Sequence, residues 1–103
     1  MHATIRRYDG VDTNRTAELT GKVKETLVPK LRKLPGFDGY YLVEAGNGVF
    51  TSLGLFETPE QGAESTKVVA TWIRDENFST VMPNQPTITA GQVIAYSNGH
   101  TVA

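Results

Sequence analysis

The sequence predicts an α+β domain of βαββαβ order, a four-stranded antiparallel sheet with two helices on one face. Three observations carry that prediction. Two aromatic and β-branched runs, Phe37 to Ala45 and Val49 to Glu57, flank Asn47-Gly48, the strongest short-range signal for a hairpin. An apolar stripe at helical spacing, Leu19, Val23, Leu27, Leu31 and Leu34, precedes the hairpin, and a second one, Val68, Val69, Trp72 and Ile73, follows it.

The elements follow in chain order. Residues 3 to 8, Ala-Thr-Ile-Arg-Arg-Tyr, make a short first strand stopped by Asp9-Gly10. Asp12, Thr13 or Asn14 then caps the first helix. Pro29 lies inside its stripe and lacks a backbone N–H, which predicts a kink or restart near Val28. Pro35-Gly36 ends the helix. After the hairpin, Thr58-Pro59-Glu60-Gln61 reads as a capping box with proline in the first helical position. The helix it opens ends near Asn77-Phe78. A polar loop with Pro83 and Pro86 leads to a last strand over 87–96, and 98–103 is a loose tail. This is the split βαβ, or ferredoxin-like, plan, with residues 1–97 as one domain.

The hairpin places apolar side chains on both faces of the sheet. With Asn47-Gly48 as a two-residue loop, Gly46 faces Val49, Ala45 faces Phe50, Val43 faces Ser52, Tyr41 faces Gly54 and Gly39 faces Phe56. The other side then holds Glu44 with Thr51, Leu42 with Leu53 and Tyr40 with Leu55. Two helices cover one face only. The other would expose an apolar patch larger than a soluble monomer usually carries, which predicts a homodimer formed through the sheet face. A register error of one residue leaves both faces apolar, so the dimer expectation does not depend on the pairing.

Composition narrows the function classes. Ten Lys and Arg balance eleven Asp and Glu with no basic run, so there is no electrostatic footprint for nucleic acid or an anionic membrane. Cysteine is absent, which excludes disulfides and thiolate chemistry and agrees with a reducing cytosol. No signal peptide or membrane-spanning run is visible, and a cytoplasmic protein is expected. His2 and His100 stand at opposite ends of the chain, too few and too far apart for a metal site; no metal and no cofactor are expected.

The order of elements, the Leu34-Pro35-Gly36-Phe37-x-Gly39-Tyr40 step into the second strand, and the hairpin ending in Phe56-Glu57-Thr58 together resemble the antibiotic-biosynthesis-monooxygenase-like (ABM) superfamily. The resemblance covers nearly the whole chain. It implies a dimeric α+β barrel in which two sheets face each other, with a small apolar cavity between each sheet and its own helices. Members include cofactor-independent oxygenases of aromatic polyketides and quinols, and haem-degrading enzymes. The haem-degrading pattern of an Asn on the first strand and a Trp and His on the second helix does not carry over. Trp72 is present, but the first strand has no Asn, and Glu64-Ser65-Thr66-Lys67-Val68-Val69-Ala70 has no His.

The candidate ligand-binding residues are Trp72, Tyr41, Tyr40, Arg6, Arg7, Tyr8 and Phe56; no catalytic residue is assigned. Trp72, the sole tryptophan, is either a core aromatic or a cavity wall with its indole N–H aimed at a ligand. Tyr8, Tyr40, Tyr41 and Tyr96 all fall on strands, and Tyr40 and Tyr41 point to opposite faces. Arg6 and Arg7 alternate, so one guanidinium turns inward, where it needs a carboxylate or a ligand anion. Glu44 or Glu57 is expected to supply a structural ion pair. No Ser-His-Asp set, phosphate loop or paired-acid motif is present. Two functions compete: a cofactor-independent monooxygenase-like protein binding a small apolar or phenolic molecule, and a non-catalytic dimeric binding or stress-related module of the same fold.

Overall fold

The computed structural model describes residues 1–97, and the 98–103 tail, with His100, lies outside the described residues. Four strands, β1 (His2–Tyr8), β2 (Phe37–Gly46), β3 (Val49–Phe56) and β4 (Thr87–Gln92), form one antiparallel sheet in the order β2-β3-β1-β4. Helices pack on one face only, as the ferredoxin-like plan requires.

The β2–β3 turn is set by Asn47 and Gly48, both at positive φ (54° and 77°), the primed turn whose twist matches the strands it joins. Gly46 faces Val49 as expected, but Glu44, not Ala45, faces Phe50. Ala45 is the extra residue of a β-bulge, and every β2 side chain beyond it moves to the opposite face. The observed pairs are Val43 with Thr51, Leu42 with Ser52, Tyr41 with Leu53 and Tyr40 with Gly54. A second irregularity at Asp38 brings Phe37 opposite Phe56, their rings edge-to-face at 5.7 Å.

The helix-covered face therefore holds Thr4, Arg6 and Tyr8 of β1, Tyr40 and Leu42 of β2, and Phe50, Ser52 and Phe56 of β3. The opposite face carries Ile5, Tyr41, Val43 and Leu53. Ile5, Tyr41 and Val43 are exposed, with Tyr41 at 59 %. Both faces are apolar, with membership redistributed by the bulge.

Asp12 caps the first helical segment, its carboxylate accepting from the Asn14 backbone N–H at 3.0 Å. After a 3₁₀ turn at Thr13–Arg15 come α1 (Thr16–Lys22), a π turn (Val23–Leu27) and α2 (Val28–Arg32). Pro29 cannot donate to the carbonyl one turn back, and the widened π turn just before it takes up that lost bond as a restart at Val28. The stripe still faces the sheet, with Leu19, Val23, Leu27 and Leu31 buried.

α3 (Pro59–Asp75) opens with the full capping box: Thr58 Oγ1 accepts from the Gln61 N–H, and Gln61 Oε1 accepts from the Thr58 N–H. It closes on Asn77 at φ 61°, with Phe78 N–H bonding back to Ile73 O and Asn77 N–H to Arg74 O, the Schellman arrangement. Phe78 is thereby laid on Trp72, ring centroids 5.4 Å apart. β4 stops at Gln92 rather than at residue 96. Among the described residues its ladder partner is β1, which begins at His2, and past it Val93 N–H bonds to Met1 O. Ile94 and Tyr96 are exposed instead of lying on a strand. Among the described residues, no helix is long and apolar enough to cross a membrane.

Candidate functional site

Arg6 is the inward arginine, from the middle of β1, and is 1 % exposed. Its Nη1 donates to Ser52 Oγ (3.2 Å), Nη2 to Ser65 Oγ (2.7 Å) and Nε to Thr66 Oγ1 (3.1 Å). The expected ion pair is absent: among the described residues no carboxylate lies within bridging distance of Arg6, and Glu44 and Glu57 are exposed. The reason is geometric. Glu57 lies one residue beyond β3, and the positions facing Arg6 from β3 and α3 are Ser52, Ser65 and Thr66. Arg7 turns the other way and pairs with exposed Asp9 at 3.1 Å.

A buried guanidinium held only by neutral hydroxyls remains a cation, because arginine is not deprotonated in proteins. Burial lowers its pKa, with partial compensation from Tyr8 and Tyr40 nearby. The same burial raises both tyrosines, Tyr8 upward and Tyr40 to about 12, while the Arg6 charge pulls each back. At neutral pH both phenols are therefore protonated, suited to donate hydrogen bonds rather than to remove a proton.

Two voids meet at Tyr8. An open cleft of about 510 Å³ lies between α3 and the 79–86 loop, with Tyr8, Thr66, Ile73 and Arg74 on one side and Met82, Asn84 and Ile88 on the other. No Asp or Glu lines it, and Arg74 is its one charged wall residue. Arg6 lies one hydrogen bond behind the wall, through Thr66. The second void is a seam between sheet and helices, walled by Tyr40, Leu27, Leu42, Val69 and Trp72. Its volume is about 20 Å³, room for about one water-sized probe. Beside Trp72 the side chains thus leave the space between sheet and helices almost filled, whereas a further open void of about 280 Å³ lies between the first helical segments and β2–β3, walled by Val23, Val28, Tyr40, Leu42, Glu44 and Phe50.

The sequence-derived candidates divide accordingly. Arg6, Tyr8 and Tyr40 come together, and Tyr8 borders both voids. Trp72, 3 % exposed, walls the seam, with its indole N–H donated to Thr26 Oγ1 at 2.7 Å. Thr26 sits in the π turn, and its hydroxyl donates in turn to Lys22 O at 2.9 Å. Tyr41 and Arg7 stand on the opposite face. Phe56 is buried beside Phe37 and borders neither void. Sequence reasoning missed Ser52, Ser65, Thr66, Arg74 and Met82. One signal was available: Ser65 stands on the same helical face as Val69 and Trp72, a hydroxyl in an otherwise apolar stripe. Among the described residues, no three His, Cys, Asp or Glu side chains group as a metal site.

No protein-family model and no curated protein matches the chain. Solved structures do. A protein of unknown function from Nitrosomonas europaea aligns with a TM-score of 0.73 at 17 % identity, over 97 % of this chain and 95 % of its own. A candidate antibiotic biosynthesis monooxygenase from the same organism gives 0.70 at 13 %, over 92 % and 100 %. A monooxygenase from the ActVA-Orf6 gene of Streptomyces coelicolor, solved with nanaomycin D, gives 0.70 at 12 %, over 96 % and 92 %. At these identities the likeness establishes the fold, which this chain shares with ABM structures.

Proposed function

We propose that the protein binds a flat, acidic phenol or enol in the cleft beside Tyr8, holds it as the anion, and presents that anion to oxygen as a cofactor-independent monooxygenase. The observation that carries this reading is Arg6, a buried cation with no carboxylate partner among the described residues, one hydrogen bond behind a cleft that none of their acids lines. With the Thr66 hydroxyl turned from Gly62 O, which it meets at 3.4 Å, to the ligand, two hydrogen bonds of about 3 Å in series separate Arg6 from the bound oxygen. At an effective dielectric near 20, unit charges at roughly 6 Å attract by about 2–3 kcal/mol, enough to lower a phenol's pKa by more than one unit.

The protein's work is then desolvation, positioning and stabilisation of negative charge. The ionising proton leaves to water through the open mouth, so no side-chain base is needed. For a substrate of the anthrone type, one oxygen atom of O₂ becomes the new ring carbonyl. The other leaves as water with the two hydrogens of the methylene carbon, and the substrate supplies all four electrons. The Streptomyces neighbour, a monooxygenase solved with nanaomycin D, supports the reaction class by analogy of fold.

The second reading is the non-catalytic dimeric binding or stress-related module, favoured by one observation: both buried tyrosines are pushed toward their protonated forms, leaving the site without a base. Oxygen uptake with a panel of anthrones and hydroquinones separates the two. Uptake above the uncatalysed rate, lost in Arg6→Met, is the expected result. Saturable binding of the same panel with no uptake assigns the protein to the binding module.

A further inference from the structure

Thr66, Ala70, Ile73 and Arg74 of α3 line the cleft along one helical face, a hydroxyl at one end, a guanidinium at the other and apolar side chains between. Met82 and Ile88, from the loop and β4, add to the apolar wall. The hydroxyl end carries the Arg6 charge, one hydrogen bond behind Thr66. Arg74 stands eight residues on, about 12 Å further along the axis at a rise of about 1.5 Å per residue. Its ion-pair partner among the described residues is the adjacent, exposed Asp75, met through Nε at 3.5 Å. That contact leaves the two terminal guanidinium nitrogens for a ligand, a fork that matches the two oxygens of a carboxylate. The two cations therefore suit different groups. Buried Arg6 stabilises an oxygen that ionises on binding, whereas exposed Arg74 suits a group already ionised in water, as a carboxylate is at neutral pH.

We propose that the ligand carries a second acidic group, a carboxylate on the far side of its rings from the phenol or enol oxygen, and that Arg74 is the residue that selects for it. This deepens the reading above and rests on it. With the oxygen at Thr66 and the carboxylate at Arg74, the rings lie along α3 against Ala70 and Ile73, and the long arginine side chain takes up the remaining distance. The cleft, about 510 Å³, has room for a ligand of two or three rings in that direction. An exposed ion pair adds modest affinity, but engagement of both ends fixes which way round the ligand lies.

The experiment measures, by calorimetry on the full chain, the affinity for 4-hydroxybiphenyl and for 4′-hydroxybiphenyl-4-carboxylate, a rigid rod with a phenol at one end and a carboxylate at the other. Wild type, Arg74→Gln and Arg6→Met are compared. The carboxylate should tighten wild-type binding about three- to fivefold, the scale of an exposed ion pair. Arg74→Gln, a surface substitution that leaves the core untouched, should abolish that advantage and leave 4-hydroxybiphenyl affinity unchanged within about twofold. Arg6→Met should weaken both probes by the same factor, because it acts at the phenol end they share. A cation that only balances the negative end of α3 would give the same ratio of affinities in wild type and Arg74→Gln. An advantage absent from wild type, or one that survives Arg74→Gln, overturns the role of Arg74 while the phenol site stands. Failure of 4-hydroxybiphenyl to bind the wild-type protein overturns the cleft as the ligand site, and this inference with it.

Discussion

The Arg6 guanidinium meets the Ser65 hydroxyl at 2.7 Å in a wholly buried contact, and among the described residues no carboxylate bridges to Arg6. Ser65 also donates to Gly62 O at 2.6 Å, so the hydroxyl keeps a partner whether or not the arginine is present. Arg6→Met should therefore change unfolding free energy by no more than about 1 kcal/mol, since removing an uncompensated buried charge offsets the lost hydrogen bonds. The same substitution should weaken binding of an ionised phenol by about thirtyfold or more. Urea unfolding and a binding titration on one preparation check both, and a loss of several kcal/mol would make Arg6 a structural residue.

Tyr40 links stability to alkaline pH. Its folded pKa, raised by burial to about 12, exceeds the reference value of 10.0. A group raised in the fold contributes stability that is full below its unfolded pKa and lost as pH rises through the folded one. Unfolding free energy should fall between pH 10 and 12, and Tyr40→Phe should reduce the slope in that window. Phenolate absorbance should lose a component titrating near pH 12 in the same variant.

Two glycines make opposite tests of local geometry. Gly36 sits at φ 74°, and a Cβ there would strike the Gln61 side chain that closes the capping box. Gly36→Ala should destabilise by about 1–3 kcal/mol through strain and a disturbed cap. Gly21 lies inside α1 with open space where its Cβ would stand. Gly21→Ala should stabilise by about 0.5–1 kcal/mol, from helix propensity alone. Thermal melts of the two variants suffice.

The exposed face carrying Ile5, Tyr41 and Val43 is the surface on which the expected homodimer would form, sheet against sheet. Sedimentation at micromolar concentration should give a two-chain species, and Val43→Asp should shift it toward one chain. A wild-type monomer under those conditions would leave this face without its proposed cover.

What the sequence made legible follows from how local each signal is. Asn47-Gly48 and Thr58-Gln61 act within four residues, and both appear in place. The bulge at Ala45 was not legible, because a sheet apolar on both faces gives no hydrophobic penalty for a one-residue slip. The end of β4 depends on where β1 begins, some ninety positions away in the chain. That one of Arg6 and Arg7 turns inward was readable from alternation; that it is Arg6 was not. Its hydroxyl partners, 46 to 60 residues distant, were not, and neither was the absence of an acid among them.

The most direct measurement is the ionisation of a phenol bound in the cleft. 4-Nitrophenol absorbs differently as phenol and phenolate, so its apparent pKa can be read free, with excess wild-type protein, and with Arg6→Met. The buried, acid-free cation beside Tyr8 should lower the bound pKa by about one unit or more, with most of that shift lost in the variant. A bound pKa equal to or above the free value in the wild-type protein would contradict the anion-holding role of the site.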